Sequence, residues 1–271
     1  MRRLTWFNTV SLTLGFAFLY IPMMILIIFS FNESKLVTVW AGFSTRWYGE
    51  LLRNEAFLDA AWVTLRVAVM SSTVATVLGT MAAYVMVRGG RFFGRTLFSG
   101  MIYAPLVMPE VITGLSLLLL FIAIGLDRGI ITIVLAHTTF SMCYVSVVVS
   151  SRLVSFDRSV EEAALDLGCT PFQAFRLVTL PIILPAVASG WLLAFTLSLD
   201  DLVIASFTAG PSATTLPIKI FSSVRLGVSP EINALSTIMI AIVAVGVIVA
   251  SLMSKNAIVR QAREEKAAAQ T

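Results

Sequence analysis

Three carboxylates, Glu110, Asp200 and Asp201, lie within or at the end of long apolar stretches that offer no Lys or Arg to neutralise them. An unpaired carboxylate removed from water is costly, so such groups need a proton, a hydrogen-bonding partner or a cation. Ser198, two residues before Asp200, adds a hydroxyl to the same stretch. If the third and fifth apolar stretches face one another, the three acids line one polar cavity whose natural ligand is positively charged. The competing reading puts Asp200 and Asp201 at a water interface and leaves Glu110 protonated or bonded to a Ser or Thr. Pro105 and Pro109 interrupt the backbone just before Glu110, and such breaks are tolerated in a membrane beside a cavity or another helix.

The elements that carry these acids are set by composition. The 271 residues are 58% hydrophobic and only 13% charged, with a mean hydropathy of +0.93, which excludes a water-soluble core with a polar shell. Apolar runs long enough to cross a bilayer, about 20 helical residues each, occur at Val10–Phe31, Val67–Val87, Thr96–Leu126, Gly129–Ser151, Leu177–Leu199 and Ile232–Ser254. They are continuous rather than alternating, so six transmembrane helices are expected and a barrel is not. As straight helices these runs place Glu110 about 21 Å beyond Thr96 and Asp200 about 27 Å beyond Ile182. Both then fall toward the outer half of the bilayer. The first run is too long for a signal-peptide core and stays as a span.

Orientation follows from Lys and Arg. With the N-terminus inside, twelve of the nineteen basic residues fall in cytoplasmic segments and seven on or near the other side, which favours N-in and C-in. The formal charge of +4 is thus a matter of topology, and no basic surface interleaved with aromatics points to nucleic acid. Outer segments are expected at about 32–66 and 209–231. Trp40, Trp47 and Tyr48 in the first suit the membrane interface, and Trp47 is the residue expected near an outer entrance. The second is ordered by Pro211, Pro217 and Pro230. The tail from Gln261 to Thr271 reads as a solvated helix end. Cys143 and Cys169 fall on different elements and do not form a disulfide framework.

A polar loop over about 152–181 separates the fourth and fifth runs. Ser159-Val160-Glu161-Glu162 fits a capping box that starts a helix, and Gly168 is placed to end it in a left-handed conformation. Thr170-Pro171-Phe172-Gln173 supplies a second cap with proline at the first helical position, and Pro181 is expected to end the second helix. Helices this short are marginal unless they pack on something. Either they cap the bundle at the membrane surface or they dock on a cytosolic partner.

Glu162-Ala163-Ala164, then three residues, Gly168, nine residues and Val178-Thr179-Leu180-Pro181 resembles the EAA loop of bacterial binding-protein-dependent ABC importer permeases. The resemblance implies a single permease domain over 1–271 with the type I ABC importer (MetI-like) fold, in the bacterial inner membrane. In that family the loop forms a coupling helix seated in the ATPase subunit, which assigns coupling to Glu162, Ala163, Ala164 and Gly168. Nearly the whole chain, through the phrases Ser34–Trp40, Tyr103–Gly114 and Ser198–Phe207, is similar to polyamine permeases, the second permease of putrescine importers in particular. Those would carry Asp where this chain has Glu110, which keeps the charge on a longer arm. The resemblance implies a putrescine or spermidine substrate, a second related permease, two copies of an ATP-binding subunit and a periplasmic polyamine-binding protein. Protonated amines need carboxylates and hydrogen-bond acceptors, so Glu110, Ser198, Asp200 and Asp201 are expected to contact the substrate.

No Gly-x-x-x-x-Gly-Lys-Ser/Thr phosphate loop is present, so ATP hydrolysis is assigned to another subunit and no cofactor is expected. The single histidine, His137, reads as a helix–helix hydrogen bond, with no metal cluster or nucleophile–base pair evident. A gradient-driven cation carrier or channel accounts for the acids but not for the loop, and a substrate-free scaffold predicts that Glu110, Asp200 and Asp201 can all be made neutral without loss of uptake.

Overall fold

A computed structural model describes residues 5–36, 39–227 and 229–245. They are helical throughout, apart from loops and one isolated bridge between Asn32 and Phe43. Among the described residues four helices are long and apolar enough to span a membrane: α1 (Trp6–Phe29), α3 (Glu55–Arg88), α6 (Ile130–Ser155) and the continuous helix Pro171–Asp200. Val37 and Thr38, the end of the sixth run and the tail from Gln261 lie outside the described residues.

The chain divides into two compact units, Met1–Glu55 with Ser223–Thr271, and Ala56–Ser222. In the first, α1 buries none of its residues, as expected of a helix apolar on all sides that faces lipid or another chain. Asn32 organises the segment after it. Its side-chain oxygen accepts from the amides of Ser34 and Ala41, its amide donates to the Val39 carbonyl, and its own carbonyl accepts from the Trp47 indole at 2.7 Å. Trp47 opens the short α2 (Arg46–Leu51) and is only 3% exposed. Pro230–Val245 forms the last described helix, whose Glu231 accepts from Asn54.

The second unit is built around α6. Small residues along α3, among them Ala68, Ser72, Ala75, Gly79 and Ala83, make the buried face that lets the two backbones approach. A Cβ on Gly79 would stand 2.7 Å from the Met142 carbonyl oxygen and 2.8 Å from the Val145 Cβ, and one on Gly190 would stand 3.2 Å from a Val145 methyl. Val145 is therefore held between two glycines on two different helices. Around it Ala75, Ala83, Val149, Leu153, Ile183 and Ala194 close the core.

The second and third runs differ most from their reading in the sequence. The second span begins at Glu55, not Val67, because Phe57, Ala60 and Thr64 already bury a face, and Arg66 lays its guanidinium over the Trp62 ring at 4.8 Å. The third run is not one straight helix. It is split into α4 (Arg95–Val107) and α5 (Glu110–Ala123), bent by 118°. Pro109 has no amide to continue the ladder and drives Met108 into an extended conformation, so the straight-helix depth of Glu110 does not hold. Beyond the bend, α5 packs on the short α10 (Val203–Thr208), where Gly114 admits the Phe207 ring.

Gly79→Ala is expected to lower the thermal midpoint of the purified protein, since overpacking against backbone costs about 1–3 kcal/mol. An unchanged midpoint would show that α3 and α6 are not in close backbone contact.

Candidate functional site

The acidic end of the second unit forms where α9 (Leu180–Asp200), the terminal part of the Pro171–Asp200 helix, gives way to α10. Asp201 is extended, and one carboxylate oxygen accepts from the Ala205 amide at 2.8 Å, satisfying an open donor of α10's first turn. The same oxygen stands 3.6 Å from Nε2 of His137, beyond hydrogen-bond reach, and among the described residues that nitrogen has no other partner. The other ring nitrogen lies 2.7 Å from the Ser198 hydroxyl, which accepts from Ser71 at 3.1 Å. The result is a buried polar chain, Ser71–Ser198–His137–Asp201, drawn from α3, α9, α6 and the α9–α10 junction.

In the tautomer in which Ser198 donates to Nδ1, the ring's N–H is on Nε2, facing the Asp201 carboxylate. Serine, histidine and aspartate are the residue types of a hydrolytic triad. Here the Ser198 hydroxyl and the ring are 3% and 2% exposed, and the imidazole–carboxylate contact is long, so the chain holds charge and orientation rather than presenting a nucleophile.

Ser198 and Asp201 are thus brought together around His137, with Asp200 next to them on the exposed side of the helix end. Glu110 is exposed as the first residue of α5, where a carboxylate suits the helix N-terminus. Among the described residues no hydrogen bond or ion pair joins it to Asp200 or Asp201. Trp47 belongs to the other unit, where its indole is committed to Asn32. An open cleft of about 530 Å³ in the second unit lies between the start of α3 and Pro211–Ser222 and is lined by Asp59, Ser212, Thr214 and Lys219 rather than by the three acids. Among the described residues no three His, Cys, Asp or Glu side chains group as a metal site.

The polar loop is built as two helices, though not as expected at either end. α7 (Ser159–Asp166) is not capped by Ser159. Asp157, just ahead of the helix, accepts from the Ser159 amide at 3.0 Å, and this hydrogen bond holds its carboxyl below the usual carboxylate range. Glu162 instead pairs with Arg158 one turn earlier, at 3.2 Å on the exposed face. Gly168 does end the helix, at φ +90°, with the Cys169 amide bonded to Ala164 and the Gly168 amide to Leu165. Thr170 and Gln173 cap α8 (Pro171–Ala174) reciprocally, at 3.3 and 2.8 Å. Pro181 then fails to stop the chain. A π turn over Phe175–Thr179 resets the hydrogen-bond register, so Pro181 falls in the first turn of α9 and the helix runs on.

Glu162, Ala163 and Gly168 are exposed, whereas Ala164 is buried. The acid that faces inward is Glu161. Its Oε2 lies 2.7 Å from Nε of Arg88 at the end of α3, a close ion contact off the hydrogen-bonding axis, and its Oε1 accepts from Thr179 at 2.7 Å. Arg88 also reaches the Phe156 carbonyl at 3.4 Å and faces its ring. His137 makes the helix–helix hydrogen bond expected of it, to Ser198. Sequence reading gave no site role to Ser71, Arg88, Glu161 or Thr179; an arginine closing a span was the available signal, and the other three gave none.

A helical membrane protein with a capped, exposed loop ahead of a long spanning helix has the form of a transporter's membrane subunit. Residues 75–261 match the family described as binding-protein-dependent transport system inner membrane component, and the chain belongs to it. It is 62% identical to the "Putrescine transport system permease protein PotI" of Escherichia coli K12, over 88% of this chain and 86% of that one. It is 44% identical to the "Spermidine/putrescine transport system permease protein PotC" of the same strain, over 90% and 92%. Among solved structures it superposes on a bacterial ABC transporter involved in alginate import with a TM-score of 0.71 at 18% identity, over 91% of this chain and 94% of that one. The MetNI methionine ABC transporter superposes with 0.58 at 16% identity, over 69% and 88%. Both share the fold.

Thr170→Ala removes the reciprocal cap and is expected to speed amide exchange at the start of α8 by about fivefold to tenfold, for a loss of order 1 kcal/mol. Unchanged exchange would mean that the cap carries no local stability.

Proposed function

We propose that the chain is the permease subunit of an ATP-driven importer that moves polyamines, putrescine first and spermidine next, from periplasm to cytoplasm by alternating access. One observation carries this reading. The continuous helix Pro171–Asp200 has the capped, exposed loop at its first residue and the buried Ser198–His137–Asp201 cluster at its last. A rigid helix of 30 residues spans about 45 Å, so one element joins a docking site to a cation-binding end across the membrane.

In this reading the six apolar runs span the membrane with both termini inside, as one permease domain. The exposed Glu162, Ala163 and Gly168, with Ala164 behind them, meet one of two ATP-binding subunits. A second, related permease completes the pathway, and a periplasmic polyamine-binding protein delivers the substrate. Asp200, Asp201 and Ser198 receive the protonated amines and Glu110 adds charge at the start of α5. Trp47 orders the outer segment near the entrance. The relatives' names support the substrate class, and a chain of acids and hydroxyls without competing lysines suits a dication.

Uptake of labelled putrescine and spermidine in vesicles holding the whole complex tests both ends. Asp201→Asn is expected to lower uptake about tenfold or more, the scale of one charge-assisted hydrogen bond, with the ATPase subunits still bound. Unchanged uptake would remove Asp201 from the path. Gly168→Leu forces a side chain onto a left-handed turn and is expected to cut uptake of both polyamines alike; normal uptake would refute the coupling assignment.

A further inference from the structure

The exposed face of α7 explains how the loop could be touched, but not how a push on it would reach the membrane. α7 is two turns long, and a helix of that length has little stability of its own. Its exposed ion pair, Arg158–Glu162, joins the helix only to itself and is screened by water. The strong tie lies on the other face. The side chains of Glu161 and Arg88 are 10% and 11% exposed, and the carboxylate uses both oxygens on different helices, one on Arg88 at the last residue of α3 and one on Thr179 in the π turn.

We propose that Glu161 is a positioning residue for energy coupling: its buried contacts with Arg88 and Thr179 clamp α7 to the ends of two spanning helices, so that movement of the loop moves both together. This rests on the proposed role of the loop as the ATPase contact. Three features of the site favour transmission over mere attachment. A carboxylate between a guanidinium and a hydroxyl in a low-dielectric site cannot slide without breaking one contact, so it passes on displacement instead of absorbing it. Arg88 is itself held on the segment that enters α7, through the Phe156 carbonyl and ring, so the clamp closes on both sides of the loop. The π turn is the one place where the register of the Pro171–Asp200 helix is already reset, and that is where the clamp attaches.

The test counts ATP hydrolysed per labelled putrescine imported, in proteoliposomes holding the whole complex with its binding protein. Glu161→Gln alone strands the Arg88 charge and risks misfolding, so the informative variants are the paired Arg88→Met/Glu161→Met, which removes both charges, and Thr179→Val, which removes one hydrogen bond. The ratio is expected to rise about tenfold in the paired variant and about threefold in Thr179→Val, with the ATPase subunits retained. Arg88→Lys, which keeps the charge, is expected to stay near wild type. A paired variant whose ratio stays at the wild-type value, or whose complex loses its ATPase subunits, overturns the proposal, leaving the clamp as a fold or docking contact. Wild-type complex run alongside separates the two claims, because its ATP-dependent putrescine uptake upholds the proposed function whatever the variants do.

Discussion

A charge buried in a low-dielectric interior must be matched within the chain, and this constraint governs both ends of the second unit. Removing one partner of a buried ion pair costs roughly 3–5 kcal/mol, a large share of the stability of a whole domain. Glu161 meets that demand with Arg88 and Thr179, and Asp201 meets it with the Ala205 amide and the facing imidazole. Each match draws on three separate helical elements, so the cost of an unpaired charge also fixes how those elements sit against one another.

The backbone is subject to the same accounting. Pro109, Pro181 and Pro185 each remove an amide from a run that would otherwise be uniform helix. At Pro109 the chain responds by breaking and turning through 118°, with Glu110 starting the new helix. At Pro181 it responds with a π turn that keeps the helix unbroken from Pro171 to Asp200. One missing amide ends a helix and another is absorbed. The difference lies in what precedes them: Met108 is extended, whereas Phe175–Thr179 already form a wider turn anchored by the buried Thr179.

Much of the fold was legible because apolar runs of bilayer length have few alternatives. The loop was legible to the extent that caps are local: Gly168 and the Thr170–Gln173 pair form as their spacing requires. Ser159 was misread because it is the first residue inside the helix, and its amide, which Glu162 was expected to hold, is taken by Asp157 two residues earlier. What local spacing could not show is which side of a helix faces inward. Glu161 and Glu162 are adjacent and chemically alike, yet one is buried on Arg88, 73 positions away in the chain, and the other is solvated. In the same way His137 finds Ser198 across 61 positions, a pairing that only the α6–α9 packing creates.

The central claim is that transport is powered from outside this chain, through its loop. Accumulation of labelled putrescine should be measured in proteoliposomes that hold either this chain alone or the complex with the proposed second permease, ATP-binding subunits and binding protein, each with and without ATP and an imposed membrane potential. The expected result is uptake only by the complex with ATP, unaffected when the potential is collapsed. Uptake by the single chain driven by the potential without ATP would contradict the claim and make the acids the ion sites of a gradient-driven carrier.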